Sequence, residues 1–323
     1  MKALLNLLSD GAFHSGEELG ELLGVSRSAV WKRLKRLADE LGLEVQAVRG
    51  RGYRLASAIS LLDERRLGSA LGWPLRLLSQ VDSTNLEALR QLSAAPSTSL
   101  PLWVTAEQQT AGRGRRGRAW LSPFAQNLYV SLVLPVDGGA RRLDGLSLTV
   151  GVAVHRALSH YRLPGLGLKW PNDVLVGNRK LAGILLELHG DLADKCAVVI
   201  GIGINANMLA AELDQPWTSL RQETGQLIDR NELLIRLAEA LRSCLETHWR
   251  SGFEALRDEW QAAHLWQGRQ AVLSSGERRC EGRVLGVDAG GALLLEREGA
   301  AEVHSGGELS LRLADDSRTG LRQ

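Results

Sequence analysis

The stretch Glu107-Gln-Gln-Thr-Ala-Gly-Arg-Gly-Arg-Arg-Gly-Arg-Ala-Trp120 decides between two fold classes, because Gly112–Gly117 matches the pattern GxGxxG. In a dinucleotide-binding fold that pattern opens a helix. Here Trp120-Leu-Ser-Pro-Phe124 follows, and then the apolar run Leu128–Leu134, which is typical of a buried strand. No Lys-Ser or Lys-Thr ends the segment, so it is not a Walker A loop either. Since strands and helices do not alternate strictly along the chain, we expect an α+β fold with a mixed sheet.

The same stretch indicates a site for an anion. Its glycines permit positive φ and close backbone approach, and its four arginines carry permanent charge. Backbone N–H groups and guanidinium forks together bind phosphate or carboxylate well. The alternative is an RGG-like nucleic-acid tail, which is disfavoured because the segment is short and lies between Trp-containing stretches. We therefore expect a flexible loop that orders over its ligand.

The composition of the chain limits the number of domains and the class of protein. The chain has 323 residues, 44% hydrophobic and 24% charged, with a net charge of +2, as expected for two or three globular domains. Its three cysteines are far apart and no CxxC or HExxH spacing occurs, which favours a reducing compartment and gives no support to a structural zinc site. No apolar run reaches about 18 residues and the N-terminus lacks a signal-peptide pattern, so we expect a cytoplasmic protein without membrane contact.

The first 60 residues predict a DNA-binding unit. Ser15 and Glu18 form a capping box for one helix, Gly24 ends it, and Ser26 can cap the next helix after a tight turn. In that next helix one face is apolar and the opposite face is basic. A basic hairpin around Arg49–Gly52 follows, and residues 25–55 hold eight Lys/Arg against three Asp/Glu. The order describes a winged helix-turn-helix, for which we expect DNA contacts from Ser26, Arg27, Ser28, Lys32, Lys35, Arg36 and Arg51. Simple solvation of a helical face is the weaker alternative.

The rest of the chain divides into a hinge at 57–64, a large mixed segment at about 65–266 and a small all-β segment at 267–313. The last segment contains short strands separated by Gly-rich turns, which predicts a small barrel of the SH3-like type. The polar residues 314–323 are expected to form a disordered tail.

Four further motifs lie in the middle segment. They are Asp82-Ser-Thr-Asn85 at a helix start, Lys169-Trp-Pro-Asn-Asp173, the strand after Arg179-Lys180, and Gly201-Ile-Gly-Ile-Asn205 at a strand end. Each alone has an ordinary explanation: an N-cap for Ser83, a surface turn around Pro171, a solvated charge for Lys180. The two glycines at 201 and 203 suit a tight wall beside a planar ligand, although a plain turn would also use them.

Taken in series, DSTN, EQQTAGRGRRGRAW, KWPND, RKLAGILLE and GIGIN resemble the catalytic domain of biotin–protein ligases. The segments GVSRSAVWKRLKRL and RGRGYRL resemble the winged helix of bacterial biotin-operon repressors. The resemblance covers nearly the whole chain and is to the bifunctional ligase–repressor family. It implies ATP and biotin as substrates, Mg²⁺ as an expected cofactor, biotinyl-5′-AMP as intermediate and corepressor, and transfer of biotin to a lysine of the biotin carboxyl carrier protein of acetyl-CoA carboxylase. It further implies operator DNA as a partner and a homodimer in the adenylate-bound state.

The resemblance also assigns residues. It implies that the ureido ring of biotin lies beside Ser83, Thr84, Asn85 and Gln109, and that its carboxylate and the α-phosphate lie under Arg113, Gly114 and Arg115. Lys180 would stabilise the charge that develops between them, and Asp173 would orient Lys180 or bind Mg²⁺; no other metal ligand is implied. For ATP and the adenylate it implies Trp120, Asn172, Asn205 and Trp217. Attack of a carboxylate on a phosphate needs positioning and charge neutralisation, so the lack of a nucleophile motif agrees with this chemistry.

Two alternatives remain at this point. A lipoate–protein ligase resembles the same catalytic fold and uses the same adenylate chemistry, although GRGRRGR together with KWPND favours biotin. A transcription factor whose middle domain only senses a metabolite is disfavoured by Lys180 beside an anion-binding loop.

Overall fold

The structure, a computed structural model, describes residues 2–94, 100–191, 193, 195–275, 278–305 and 309–314. The tail predicted at 314–323 falls outside the described residues except for Ala314. No helix among the described residues combines the length and the apolar character needed to cross a membrane. The chain forms an N-terminal helical unit, a central mixed sheet with helices, and a C-terminal antiparallel sheet.

The N-terminal unit confirms the predicted helix-turn-helix. Ser15 and Glu18 form the capping box, and Gly24 and Ser26 separate the two helices as expected. A Cβ on Gly20 would lie 2.6 Å from the carbonyl oxygen of Val25, so the tight turn requires a glycine there. The unit consists of α1 (Lys2–Leu8), α2 (Gly16–Leu23), α3 (Arg27–Leu41), β1 (Val45–Val48) and β2 (Gly52–Leu55).

The apolar stripe of α3 forms the centre of this unit. Val30, Leu34 and Leu37 are almost fully buried, while Leu41 is partly buried at the margin. Strands β1 and β2 pair antiparallel as the predicted wing, from Val45 opposite Leu55 to Val48 opposite Gly52. The ring of Trp31 on α3 stacks on Tyr53 of β2 with 5.6 Å between centroids, which fixes the wing against the helix.

The central sheet is mixed, as predicted, and has the strand order β3-β4-β5-β9-β8-β7-β6. Strands β3 and β4 pair parallel and the other neighbours pair antiparallel. In chain order the elements are α4 (Glu64–Ala70), β3 (Leu75–Leu78), α5 (Thr84–Ala94), β4 (Leu102–Ala106), β5 (Leu128–Asp137), α6 (Leu146–Ser159), β6 (Leu166–Lys169), β7 (Asp173–Val176), β8 (Arg179–Gly190), β9 (Lys195–Ile204), α7 (Leu220–Thr224), α8 (Arg230–Ser251) and α9 (Glu254–Ala263).

Helices α6 and α8 pack together beside this sheet. Val150, Val154 and Leu158 of α6 are fully buried, and Leu237 and Leu241 of α8 are fully buried as well. The sequence predicts helices at Leu146–Tyr161 and Asn231–Arg250 and strands at Leu128–Leu134 and Val198–Ile204, and these correspond to α6, α8, β5 and β9. It does not predict β3 and β4, and it describes the KWPND segment as a turn without the two strands, β6 and β7, that it joins.

The C-terminal segment forms a five-stranded antiparallel sheet with the order β13-β12-β11-β10-β14. Its strands are β10 (Gln270–Ser275), β11 (Arg278–Val287), β12 (Leu293–Arg297), β13 (Ala300–His304) and β14 (Ser310–Leu313). The sequence predicts strands at Gln270–Leu273, Arg279–Val287, Ala292–Glu296 and Glu302-Val303, which correspond to β10–β13, and it does not predict β14. Among the described residues the strand pairing runs from β13 to β14 without closing into a ring, so the structure shows an antiparallel sheet and the SH3-like barrel stays a prediction.

Candidate functional site

A cavity of about 470 Å³ lies where the central sheet meets the edge strand β14 of the C-terminal sheet. It gathers most of the residues that the sequence analysis selected, although these are separated by up to about a hundred positions in the chain. The selected residues that line it are Ser83, Thr84, Asn85, Gln109, Arg113, Gly114, Arg115, Trp120, Asn172, Asp173 and Lys180.

One end of the cavity is a buried, neutral hydrogen-bonding cluster at the start of α5. The side-chain oxygen of Gln109 accepts hydrogen bonds from the backbone N–H of Thr84, at 2.8 Å, and from its hydroxyl, at 3.1 Å. The hydroxyl of Ser131 on β5 lies 2.8 Å from Thr84 Oγ1 and 2.6 Å from Asn85 Oδ1. Asn85 Nδ2 donates to Glu187 at 2.7 Å. Such a cluster holds several donors and acceptors in fixed directions, as recognition of a compact polar ring requires.

The glycines of β8 and β9 form a wall beside this cluster. A Cβ on Gly201 would lie 2.3 Å from Asn85 Oδ1, and one on Gly203 would lie 2.4 Å from the ring of Trp120. A Cβ on Gly183 of the neighbouring strand would lie 3.2 Å from the same ring. The predicted tight wall is therefore present, and the planar group that lies against it here is the indole of Trp120.

The other end of the cavity is cationic. Lys180 Nζ lies 2.7 Å from Asp173 Oδ1, and Lys169 Nζ lies 3.9 Å from the other carboxylate oxygen. Burial lowers the pKa of Lys169, and the nearby charges of Lys180 and Arg312 act in the same direction. The ammonium group of Lys169 also lies 4.7 Å from the ring centroid of Trp266. Two lysines thus share one carboxylate, which leaves net positive charge for an incoming anion.

The Gly/Arg loop closes over this end. Arg115 Nη1 donates to Asn172 Oδ1 at 2.8 Å and Nη2 donates to the carbonyl of Leu309 at 3.3 Å, so one side chain joins the loop to KWPND and to the C-terminal segment. Burial lowers the pKa of Arg115, while the nearby Asp173 opposes the shift. Arg116 holds a left-handed backbone with φ of 60°. Arg113 forms an ion pair with Glu187 of β8, with 2.6 Å between Nη2 and Oε1.

Asn205 and Trp217 lie outside the lining of the cavity, although the resemblance implies adenylate contacts for both. Asn205 is almost fully buried, and its amide donates to the carbonyls of Lys180 and Thr218. Trp217 pairs with Lys180 in a short parallel bridge, and its indole donates to the carbonyl of Ala211. In this structure both residues therefore hold the backbone that carries Lys180.

Four residues of the site were not predicted from the sequence as functional positions. Ser131 lies inside an apolar strand, Glu187 lies on β8 together with Lys180, and Lys169 belongs to KWPND without an assigned role. Trp266 comes from the end of the central segment. A polar residue in the middle of the apolar run Leu128–Leu134 was the one available signal for Ser131. The sequence also offered Arg312 as a candidate for contact with ATP or the carrier, and Arg312 of β14 does line the cavity.

The predicted DNA-contact residues of the N-terminal unit share one property: each of them is exposed. Ser26 caps α3 and lies 3.1 Å from the hydroxyl of Ser28. Arg36 forms an ion pair with Glu40 at 2.7 Å, and the guanidinium of Arg51 stacks 4.3 Å above the ring of Phe13. Lys32 and Lys35 project from the face of α3 opposite its buried stripe.

The molecule thus combines a winged helix-turn-helix with an α+β domain whose cavity has a neutral polar end and a cationic end. Profiles of known families agree with this division. The Biotin/lipoate A/B protein ligase family matches residues 77–205 and a helix-turn-helix family matches residues 1–54.

Individual proteins extend the likeness over the whole chain. It is 41% identical over 316 residues to the bifunctional ligase/repressor BirA of Salmonella typhimurium, covering 97% of each chain. It is 39% identical over 250 residues to the biotin–[acetyl-CoA-carboxylase] ligase of Paracoccus denitrificans, covering 72% of this chain and 100% of that one. The solved biotin protein ligase of Aquifex aeolicus in complex with biotin and ATP superposes with a TM-score of 0.64 at 31% identity, covering 75% of this chain and 99% of that chain. The chain belongs to the family of bifunctional biotin–protein ligases and repressors.

Proposed function

We propose that this chain is an ATP-dependent biotin–protein ligase that also represses transcription through its winged helix. The observation that carries the ligase half is the single cavity that joins the neutral cluster at Thr84, Asn85 and Gln109 to the cationic end at Arg115 and Lys180. This spacing fits a ligand with an uncharged polar head and a carboxylate that must meet a phosphate. The Salmonella relative carries both activities in its name, and the Paracoccus relative carries the ligase activity.

The first step joins the biotin carboxylate to ATP. A carboxylate oxygen forms a bond to the α-phosphorus as the bond to the β-phosphate oxygen breaks, and pyrophosphate leaves with that electron pair. Lys180 and Arg115 stabilise the negative charge on the phosphate oxygens, and because they are already in place they need no rearrangement. Arg113 and the backbone of Gly114 cover the carboxylate. Trp120 and Asn172 contact the nucleotide side of the adenylate.

The second step needs no protein nucleophile. The neutral amine of a carrier lysine attacks the acyl carbon of the mixed anhydride, the bond to the AMP oxygen breaks, and a proton leaves to solvent. The carrier is the biotin carboxyl carrier protein of acetyl-CoA carboxylase. The protein contributes position and protection of the activated acyl group from water.

The residues around Asp173 do not fit a Mg²⁺ ion held by protein alone. Asp173 is paired with Lys180, and Lys169 is close by, so cationic side chains occupy the space beside its carboxylate. Mg²⁺ commonly binds substrate phosphates with few protein ligands. We therefore propose that Asp173 positions Lys180 and that Mg²⁺ would be bound by the phosphates of ATP.

The ligase proposal is tested by incubating the protein with ATP, a carrier domain and either biotin or lipoate. Release of pyrophosphate that depends on biotin, with biotin then found on one carrier lysine, supports it. Preference for lipoate would assign the chain to the other branch of the matched family. If no pyrophosphate is released with either acid, a transcription factor that only senses a metabolite becomes the better explanation.

The repressor half rests on the exposed basic face of α3 and on the wing. One winged helix makes few phosphate contacts, so we propose that the adenylate promotes a homodimer whose two units bind a two-fold symmetric operator. Operator binding is measured by gel shift with and without biotin plus ATP, alongside sedimentation. Equal affinity and equal mass under both conditions would reject the corepressor mechanism.

We further propose three domains, at 1–60, 65–266 and 267–313, with the last one closing as an SH3-like barrel. The five-stranded antiparallel sheet supports this, and the contact of Arg115 with Leu309 ties that domain to the ligase site. Limited proteolysis should cut first near the exposed boundary at 267–269, and persistent cutting within 65–266 would contradict the proposed domains.

A further inference from the structure

Three side chains with metal-binding atoms meet on the C-terminal sheet, away from the residues that line the cavity. They are Cys280 on β11 and Glu302 and His304 on β13. Cys280 Sγ lies 4.0 Å from Glu302 Oε2 and 4.0 Å from His304 Nε2. His304 Nε2 lies 3.5 Å from the same Glu302 oxygen. Across the described ranges, no other group of three His, Cys, Asp or Glu residues meets in this way.

The fold brings these residues together in two ways. Glu302 and His304 are two positions apart on one strand, so their side chains leave the same face of the sheet. Cys280 comes from β11, which is separated from β13 by the intervening strand β12. The sheet must curl for side chains of non-neighbouring strands to meet, and the irregular register between Val284 and Gly286 lies on β11 itself.

The distances are close to those of an occupied tetrahedral site. With Zn–S near 2.3 Å and Zn–N or Zn–O near 2.1 Å, tetrahedral angles place the ligand atoms about 3.4–3.6 Å apart. The observed separations of 3.5–4.0 Å require only a small inward movement of flexible side chains. One sulfur, one imidazole nitrogen and one carboxylate oxygen form a donor set that suits Zn²⁺ better than Mg²⁺ or Ca²⁺.

The surroundings of the three residues fit as well. Arg297 Nη1 donates to both oxygens of Glu302, at 3.0 and 3.2 Å, and so holds that carboxylate in one orientation. Hydrogen bonds of this kind orient metal ligands in known sites. Glu302 and His304 are 40% and 21% exposed at their side chains, which allows an ion and a water molecule to enter. The positive charge of Arg297 is the feature that opposes cation binding.

We propose that Cys280, Glu302 and His304 bind one Zn²⁺ ion, with water as the fourth ligand. On binding, the Cys280 thiol releases its proton to solvent as the sulfur–zinc bond forms. The ion then joins β11 to β13, which share no strand hydrogen bonds. Because the ion binds the folded sheet, its free energy of binding adds to the stability of the C-terminal segment.

The test uses untagged full-length protein freed of metal by chelation and titrated with Co²⁺, which takes zinc positions and gives a thiolate charge-transfer absorption band. We expect one Co²⁺ per chain and loss of the band on adding Zn²⁺. The band should be absent in Cys280→Ser and present in the matched control Cys196→Ser, whose thiol lies on β9. Zn²⁺ affinity, measured by competition with a chromogenic chelator, should fall at least about tenfold in His304→Ala, while His160→Ala at the exposed end of α6 should match the wild type.

The site would be overturned by the absence of a thiolate band in the wild type, by a band that survives in Cys280→Ser, or by unchanged Zn²⁺ affinity in His304→Ala. Circular dichroism checks the fold of each variant. If Cys280→Ser does not fold, Glu302→Gln replaces it and must weaken Zn²⁺ binding. Saturating Zn²⁺ should raise the Tm of the wild type and of Cys196→Ser but not that of His304→Ala, and equal shifts in all three would mean binding elsewhere.

Discussion

Lys180 is the residue on which the proposed chemistry depends most, and its backbone is held on both sides. Its N–H donates to the carbonyl of Pro216, and its carbonyl accepts from the N–H of Thr218 and from the amide of Asn205. A side chain at the end of so fixed a backbone loses little further freedom when it meets an anion.

We predict that Lys180→Ala lowers biotin-dependent pyrophosphate release by about a hundredfold or more, because the charge developing on the phosphate would lose its fixed cation. Biotin affinity should change little, since the neutral cluster at Thr84 and Gln109 is untouched. Calorimetry and a pyrophosphate assay measure the two quantities. Arg179→Ala, which removes a neighbouring exposed cation paired with Glu223, is the matched control. Near-normal pyrophosphate release by Lys180→Ala would refute the assignment.

His264 makes the free energy of unfolding depend on pH. Burial lowers the pKa of His264 to about 4, and its Nε2 is buried without a hydrogen-bond partner. Between pH 6.5 and 4 the unfolded chain takes up a proton at this position that the folded chain does not, so stability falls as the pH falls. His155 and His248, also lowered in pKa by burial, act in the same direction.

Between pH 7.5 and pH 5 the wild type should therefore lose about 2 kcal/mol more free energy of unfolding than His264→Gln. Urea unfolding at the two pH values measures this difference. His160→Gln, at an exposed histidine, should lose as much as the wild type. The same acid loss in His264→Gln as in the wild type would show that His264 is not the group responsible.

At the scale of single elements, the turn of the helix-turn-helix depends on Gly20. Since a Cβ there would lie 2.6 Å from backbone that cannot move aside, Gly20→Ala should displace α3 from its position against α2. We expect loss of operator binding with normal biotin transfer, measured by gel shift and carrier labelling. Gly24→Ala offers a comparison, because its added Cβ meets nothing within 4 Å and its effect is limited to strain at φ of 63°. Operator binding by Gly20→Ala equal to that of the wild type would contradict the packing argument.

The Gly/Arg loop, residues 112–118, is the second element with a testable role, which is to retain the adenylate. Arg115 ties it to Asn172 and Leu309, so Arg115→Gly should leave the loop less firmly closed. We predict that the adenylate then escapes and labels lysines on unrelated proteins, detected by blotting a mixture of carrier and albumin. Arg116→Gly, at a position with φ of 60°, is the control and should keep labelling confined to the carrier. Strictly carrier-specific labelling by Arg115→Gly would contradict the role given to that side chain.

Elements with strong local signals were predictable, and those that depend on distant contacts were not. Caps and an apolar stripe identified α2 and α3, and long apolar runs identified β5 and β9. Strand β14 has only four residues, and its pairing with β10 is what makes it a strand. The same limit applies to the site. Motifs identified Lys180 and Arg115, whereas Trp266 lines the cavity only because the end of the central segment packs against β6. Burial rather than sequence shows that Asn205 supports Lys180.

On the scale of the whole molecule, a buried ion pair joins the winged helix to the ligase domain through the connecting segment. Arg230 at the start of α8 is fully buried and pairs with Glu107. Its Nε donates to the carbonyl of Ser60 at 2.7 Å and its Nη1 donates to the carbonyl of Asn127 at 2.8 Å. Glu107 in turn accepts from the N–H of Leu62 at 2.7 Å. The segment predicted as a hinge is thus fixed, and Glu107 lies two positions before Gln109 of the proposed biotin site.

Removing Arg230 should therefore lower the free energy of unfolding more than removing Arg236, a partly exposed arginine of the same helix. Arg230→Met leaves Glu107 buried with its charge uncompensated and is expected to lower the free energy of unfolding by about 3–5 kcal/mol. Arg236→Met, whose partner Glu232 is partly exposed, should cost less than about 1 kcal/mol. Urea unfolding measures both. Adding Glu107→Gln to Arg230→Met should recover part of the lost stability, because the uncompensated charge is gone.

If the Arg230–Glu107 pair also transmits ligand binding to the winged helix, this double variant should form the adenylate but bind operator with equal affinity in the presence and absence of biotin plus ATP. A normal increase in operator affinity on adding biotin and ATP would restrict the pair to a structural role.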